Sequence, residues 1–333
     1  MSGSSGVTSG VVLVCGGGGF IGRAVVGELA GRGVVEVRVL ARRGGGAAVG
    51  AGGGVVRHVC ADLTRPGTLR GLCSGVGAVV HAASYVGRDP VRCEAVNHRG
   101  TLALLAEARR AGVGRFVYVS TASVYGTGPH RGVGEGAVVP RPASAASASR
   151  LRAEGAVLEA GGSVLRPHLV YGAGDEWFVP ALARLVARVP VWPSGPVSLS
   201  SVIAVGDLAR GVAGLVGAPG DGDPSRVYHA VHPRPVPMDE VLLALHHRLG
   251  LPFPRVGEVS VQEHRALVAR AVPGLSGHQY ALLTQDHWYR GDRLWARAGV
   301  DPGPGFAARF AEAAGWYAGR LAGEARPGVP GAR

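Results

Sequence analysis

Eight residues near the start of this 333-residue chain limit what it can become. Cys15-Gly16-Gly17-Gly18-Gly19-Phe20-Ile21-Gly22 follows directly on an apolar run, residues 11–14, and opens a helically spaced stretch that lasts to residue 32. Gly16, Gly19 and Gly22 recur every third residue. A strand running through such a loop into a helix leaves backbone amides at the positive end of the helix dipole. Glycine there lets a pyrophosphate come close. Glycine triplets alone are a weak signal in a chain with 56 glycines, so the strand before and the helix after carry the inference. The loop predicts a dinucleotide cradle made by Gly16, Gly18, Gly19, Phe20, Ile21 and Gly22, with glycine at position 19 in a turn that other residues tolerate poorly.

The first half of the chain goes on alternating. Strands are expected at residues 36–41, 55–60, 78–81, 115–120 and 163–166, with helices at 91–111 and 149–160 among them. This pattern predicts an α/β fold with a doubly wound, Rossmann-type parallel sheet. The run 11–15 has no polar alternation, as a strand buried on both faces requires. After Tyr171 the composition turns proline-rich, with a helix near 179–189 and strands near 202–205 and 227–231 returning to the core. Residues 237–321 read as short helices. The expected organisation is a flexible N-terminus (1–10), a dinucleotide-binding domain (11–171), mainly a smaller substrate lobe over the carboxyl ends of the strands (172–325), and a flexible tail (326–333). The Ala/Ser run 143–149 reads as a loop.

The end of the second expected strand selects the cofactor. An acidic residue there would hold the ribose 2′-hydroxyl of NAD. Ala41-Arg42-Arg43 stands there instead, and guanidinium groups suit a 2′-phosphate. NADP(H) is therefore preferred, with NAD(H) still open. The net charge of +12 does not indicate nucleic acid, because the 35 basic residues are all arginine and are scattered rather than gathered in a stripe. No apolar run is long enough to span a membrane, and residues 1–10 lack the features of a secretory leader. Cys15, Cys60, Cys73 and Cys93 are irregularly spaced and read as reduced thiols of a cytoplasmic protein. The histidines show no metal-ligand spacing and read as surface or packing residues, so no metal is expected.

With these elements in order, roughly residues 10–320 resemble the extended short-chain dehydrogenase/reductase family. Beyond the glycine loop, the matching pieces are Ala61-Asp62-Leu63, His81-Ala82-Ala83, Asn97-His98-Arg99-Gly100-Thr101 and the stretch from Tyr118 to Gly126. Leu165-Arg166-Pro167-His168-Leu169-Val170-Tyr171-Gly172 and Val205-Gly206-Asp207-Leu208-Ala209 complete the set. The resemblance implies that Asp62, with Leu63, meets the adenine end and that Ala82 and Ala83 line the dinucleotide path. It also implies that Pro167 and His168 border the nicotinamide, and that Thr121, with Ser123 beside it, polarises the substrate.

One part of the family pattern is missing. The tyrosine and lysine of its Tyr-x-x-x-Lys pair fall on Ala146 and Arg150, in a register fixed by Leu151-Arg152-Ala153-Glu154. Alanine donates no proton. Arginine keeps a cation for the cofactor ribose but does not give up its proton near neutrality. Such a site resembles that of the atypical ketoreductases of aromatic polyketide biosynthesis, which reduce angucyclinones. The implied activity is reduction of a ketone on a polycyclic aromatic small molecule. The proton would come from a phenol of the substrate, from Thr121, Ser123 or Tyr125, or from water. A non-redox lyase, isomerase or cyclase and a catalytically silent cofactor sensor remain as alternatives. Trp177, Phe178, Trp192, Trp288 and Tyr289 are candidate aromatic walls or core residues, and a homodimer is a possible assembly.

Overall fold

The computed structural model describes residues 10–42, 47–49, 53–219 and 225–324. Strand β1 (Val11–Cys15) lies inside an eight-stranded sheet and sends alternate side chains to its two faces. Val12 and Val14 pack with Val25 and Leu29 of helix α1 (Phe20–Gly31), whereas Leu13 and Cys15 pack with Leu104 and Ala108 on the other side. None of the four is more than 1% exposed. Burying a Val or Leu side chain is worth about 1.5–3 kcal/mol, so a strand covered on both faces is apolar throughout.

The other strands are β2 (Glu36–Ala41), β3 (Ala47–Val49), β4 (Val55–Cys60), β5 (Val76–His81), β6 (Arg115–Val119), β7 (Ser163–Arg166) and β8 (Val227–His229). Their order is β8-β7-β6-β5-β1-β2-β4-β3, parallel except for the β3–β4 pair. Because β2 and β5 flank β1, the chain reverses direction across the sheet there. A crevice opens at the carboxyl ends of the strands at such a switch point.

Helix α2 (residues 90–110) contains a π-helical turn, Glu94–Arg99. Helix α3 (Ala145–Glu159) starts earlier than expected, so the Ala/Ser run forms its first turns rather than a loop. The reason is a reciprocal cap: the Ser147 amide donates to Ser144 Oγ at 3.1 Å and the Ser144 amide to Ser147 Oγ at 3.3 Å. Serine at the cap and alanine within the first turns both favour a helix.

Val202–Ala204 does not enter the main sheet; it pairs in parallel with Leu169–Tyr171 instead. Val205 already belongs to helix α4 (Val205–Gly217), which packs on α1. The C-terminal region has a core of its own, with Phe178, Leu182, Val241, Leu245, Phe310 and Tyr317 among its members. Its last helix, Phe306–Glu324, runs for 19 residues where short helices were expected. Asp175 ties that helix down, accepting from the amides of Trp177, Phe178 and Val179 and from the Tyr317 hydroxyl, at 2.8–2.9 Å. Among the described residues no helix is long and apolar enough to cross a membrane, and the four cysteines are unpaired. Residues 1–9, 326–333 and Arg43 lie outside the described residues.

Candidate active site

The glycine loop is held by close backbone contacts. Gly16 has φ +86°, and a Cβ there would lie 2.6 Å from the amide nitrogen of Ala83. The Ala82 amide donates to Cys15 O at 2.9 Å, so Ala82 and Ala83 lie against the loop. A Cβ on Gly22 would fall onto the carbonyl of Gly16, which explains the third glycine. Gly19 differs from the expectation. Its φ of −82° and ψ of 176° are open to any residue, and the turn that needs glycine is at Gly16.

A dinucleotide fits this loop. Nothing lies within 4 Å of a Cβ placed on Gly18, and α1 has neither a side-chain cap nor an acidic residue in its first turn. Phe20 and Ile21 open that helix, and Arg23 in the same turn brings its guanidinium within 3.0 Å of a Cβ built on Gly174. The free amides and this cation suit a pyrophosphate. Arg23 escaped the sequence reading because an arginine inside an ordinary helical repeat stands out in no way.

Asp62 and Leu63 follow β4, and Arg42 follows β2. Hydrogen bonds from the Thr64 amide (2.9 Å) and hydroxyl (2.8 Å) hold the Asp62 carboxyl below its ordinary pKa, with smaller help from Arg65 and Arg42. Both bonds fall on Oδ1. Exposed Arg42 thus stands near Asp62, where an adenosine would end. Leu63 is buried against Gly100.

The remaining candidates gather at the carboxyl ends of β6 and β7. The Ala122 amide donates to Pro167 O at 2.8 Å, binding the Thr121–Ala122 and Pro167–His168 segments side by side. Arg150 Nη2 donates to Val119 O at 2.9 Å. Thr121 caps a short 3-10 turn: its Oγ1 accepts from the Ser123 amide at 3.1 Å, which leaves its hydroxyl proton free. Ser123 sits within that turn, partly exposed. Ala146 and Arg150 lie on α3, in its first turns.

Tyr125 is fully occupied. Arg166 Nη1 donates to its oxygen at 2.8 Å, and its own proton goes to His229 Nε2 at 2.7 Å. The direction follows from His229, whose Nδ1 faces Arg290 O at 3.0 Å and so must carry the ring hydrogen. Burial raises the Tyr125 pKa against the pull of Arg166, and lowers that of His229 to about 4. Arg166 also binds the buried Glu154 carboxylate through three contacts of 2.5–3.2 Å.

Around this pair lies a cluster that the sequence did not reveal. Tyr289 stacks on Tyr125 at 5.6 Å and shares a hydrogen bond with His130 Nδ1 at 3.0 Å. His168 stacks on His287 at 5.3 Å, and burial, helped by His287, drives its pKa well below the usual histidine range. These histidines come from separate segments, and no spacing in the sequence links them. His130, His229 and His287 are buried packing residues and His168 is half-buried, whereas His246 and His247 are exposed on the helix Met238–Leu249. No three His, Cys, Asp or Glu side chains among the described residues form a metal site. Of the proposed aromatic walls, Phe178, Trp192 and Tyr289 are core residues, and only Trp177 and Trp288 are partly exposed.

Comparison with known proteins agrees with this architecture. A family model described as the NAD dependent epimerase/dehydratase family matches residues 12–230. The chain is 31% identical over 268 residues to a 4-hydroxy-2-methyl-3-oxo-4-farnesyl-3,4-dihydroquinoline-1-oxide ketoreductase of Stigmatella aurantiaca, covering 76% of this chain and 77% of the relative. It is 30% identical over 302 residues to a 2-alkyl-3-oxoalkanoate reductase of Stenotrophomonas maltophilia, covering 84% and 90%. Among solved structures, the Bordetella bronchiseptica enzyme WbmH in complex with NAD+ superposes with a TM-score of 0.70 at 20% identity, over 92% of this chain and 98% of that one. RMD from Pseudomonas aeruginosa, complexed with NADPH, gives 0.66 at 21% identity, over 93% and 99%. Both share the fold.

Proposed function

The chain belongs to the NAD dependent epimerase/dehydratase family and is an oxidoreductase, and from that premise we propose that it is an NAD(P)H-dependent ketoreductase whose substrate supplies the proton. The observation that carries this reading is the contrast at the crevice. The pyrophosphate cradle is intact, whereas the acid position is Ala146 and the hydroxyl of nearby Tyr125 already has both of its partners. The substrate proposed is a ketone on a polycyclic aromatic, angucyclinone-like compound. Support comes from the Stigmatella aurantiaca relative, whose named substrate carries its oxo group on a dihydroquinoline ring.

In this reading Gly16–Gly22 and Arg23 hold the pyrophosphate, and Arg42 favours the 2′-phosphate of NADP(H). The bound nicotinamide supplies the hydride. Thr121, its oxygen oriented by the Ser123 amide, donates its free proton as a hydrogen bond to the ketone oxygen. Arg150 contributes a fixed cation beside the ribose. Losing a positioned acid slows such chemistry by about 10²–10⁴-fold, but alignment of donor and acceptor survives. A phenol next to the carbonyl, with a pKa of about 10, matches the tyrosine it replaces.

The test follows nicotinamide absorbance with an aromatic ketone bearing a neighbouring phenol and with its methyl ether. Turnover of the phenol and at least tenfold slower turnover of the ether are expected. Product formed without cofactor oxidation would overturn the redox assignment, and equal rates would overturn substrate-supplied protonation.

A further inference from the structure

Below the carboxyl end of β6, beside the equally unpartnered Ser120 Oγ, three polar side-chain atoms are buried without a hydrogen-bond partner within 3.5 Å: Arg150 Nε, the Tyr118 hydroxyl and His81 Nδ1. They are neighbours. His81 and Tyr118 are register partners on β5 and β6, with ring centroids 5.2 Å apart. The Arg150 guanidinium is close enough to act on both. Burial, then Arg150, drives the pKa of His81 down to about 3, and burial raises that of Tyr118 against the Arg150 charge and a long side-chain contact from it.

The donors and acceptors run in one direction. Thr101 gives its hydroxyl proton to Asn97 O at 2.5 Å, so towards His81 Nε2, at 2.9 Å, it accepts. His81 therefore carries its ring proton on Nε2 and presents a bare lone pair at Nδ1. Arg150 Nε can only donate, and Tyr118 can do both. Asn97 O, where the chain ends, lies in the π turn of α2, a wider turn than an α-helix makes.

We propose that one buried water joins Arg150 Nε, Tyr118 and His81 Nδ1, and that Tyr118 and His81 are positioning residues for the Arg150 guanidinium. Three partners is the usual number for a buried water, and buried donors left unpaired are costly. The arrangement also has a chemical reason. A lysine at position 150 would carry its donors only at the tip, whereas an arginine adds an N–H partway along the side chain. That extra donor needs a partner inside the protein. With Nη2 on Val119 O and Nε on the water, the guanidinium is fixed along one edge and at its root.

This inference rests on the reading that Arg150 meets the cofactor, and the test separates the two. NADPH dissociation constants are measured for wild type, Arg150→Met, Tyr118→Phe and the double variant, with melting temperatures alongside. Arg150→Met should weaken binding about tenfold. Tyr118→Phe should weaken it about three- to tenfold at little change in melting temperature. The double variant should bind no more weakly than Arg150→Met. Normal binding by Tyr118→Phe, or additive losses, would overturn the positioning role. If Arg150→Met binds normally, the placement of Arg150 at the cofactor is wrong. The 15N shift of His81 decides the chain itself, even if Tyr118→Phe does not fold. A hydrogen-bonded Nδ1 lone pair in wild type supports the water, and a bare one refutes it.

Discussion

The two ends of the crevice are built by different means. At the glycine loop the contacts are between backbone atoms in short stretches, residues 15–22 against 82–83. At the other end they run between side chains far apart in sequence: Tyr125 with His229, 104 residues away, and Tyr289 with His130, 159 away. A backbone cradle tolerates no side chain where backbone meets backbone, at Gly16 and Gly22, because nothing there can swing aside. A side-chain network tolerates losing one member if the rest stay satisfied.

The largest effect that follows is at Gly22. A side chain there meets the Gly16 carbonyl, which cannot yield without moving β1. Gly22→Val should cost about 4–5 kcal/mol or more and abolish cofactor binding. Gly18→Ala, facing open space, should stay within about 0.5 kcal/mol of wild type. Gly19→Val falls between them: its Cβ is 3.3 Å from Gly16 O and its φ is ordinary, so it should fold yet bind cofactor poorly. Thermal melts and cofactor titration check all three. A folded Gly22→Val with normal affinity would remove the contrast between the two ends.

The glycine loop was legible because strand, loop and helix adjoin in the sequence, and Gly16 and Gly22 each answer a local constraint. The doubly wound sheet was legible for a similar reason, since apolar runs and helical spacing alternate. The start of α3 was not, because Ala/Ser repetition looks like low complexity until Ser144 and Ser147 are seen capping each other. Nor was the fate of Tyr125. Its position next to Gly126 fits a reactive hydroxyl as well as a buried one, and only Arg166 and His229 decide. Ala146 and Arg150, the two positions of the family register, lie about one helical turn apart on α3.

At the other end, the largest expected effect is from Arg166→Met. Removing the guanidinium leaves the Glu154 carboxylate, 1% exposed, without its ion-pair partner. The expected cost is about 3–5 kcal/mol by urea denaturation. Arg166→Met with Glu154→Leu should recover much of this, since two apolar groups replace a buried pair. If the single variant loses under 1 kcal/mol, the network is not what holds this end together.

Acid should separate the ends more gently. Burial lowers His81 to about 3 and His229 to about 4, and lowers His130, His168 and His287 as well. The folded protein binds these protons less readily than the unfolded chain does, where a histidine titrates near about 6.5. Their stabilisation is therefore complete above about pH 6.5 and declines as the pH falls towards the folded values, by up to about 1.4 kcal/mol per pH unit for each histidine. Asp62, at the adenosine end, is lowered instead from an ordinary carboxyl value by its Thr64 hydrogen bonds. Its contribution persists above about pH 3.9 and is lost only below. Melting temperatures between pH 7.5 and 4.5 should thus fall, and a flat profile would show that the histidines are not held neutral.

The smallest effects concern the hydroxyls of Tyr125 and Thr121. Tyr125→Phe removes a group whose donor and acceptor positions are both filled, so turnover should stay within about twofold while stability drops by about 1 kcal/mol. Thr121→Val removes a free hydroxyl proton and also the acceptor for the Ser123 amide. It should slow turnover by about three- to tenfold, the size of one hydrogen bond. Neither change should matter as much as methylating the substrate phenol. Rates for both variants on the free phenol and on its ether form a square that separates the two sources of the proton. If Thr121 only polarises the carbonyl, its loss is equally costly on both substrates. If Thr121 relays the proton, its loss is severe on the ether and slight on the phenol. An inactive Tyr125→Phe that is still folded would mean that Tyr125 leaves His229 during turnover, and this end would then be a moving site rather than a fixed one.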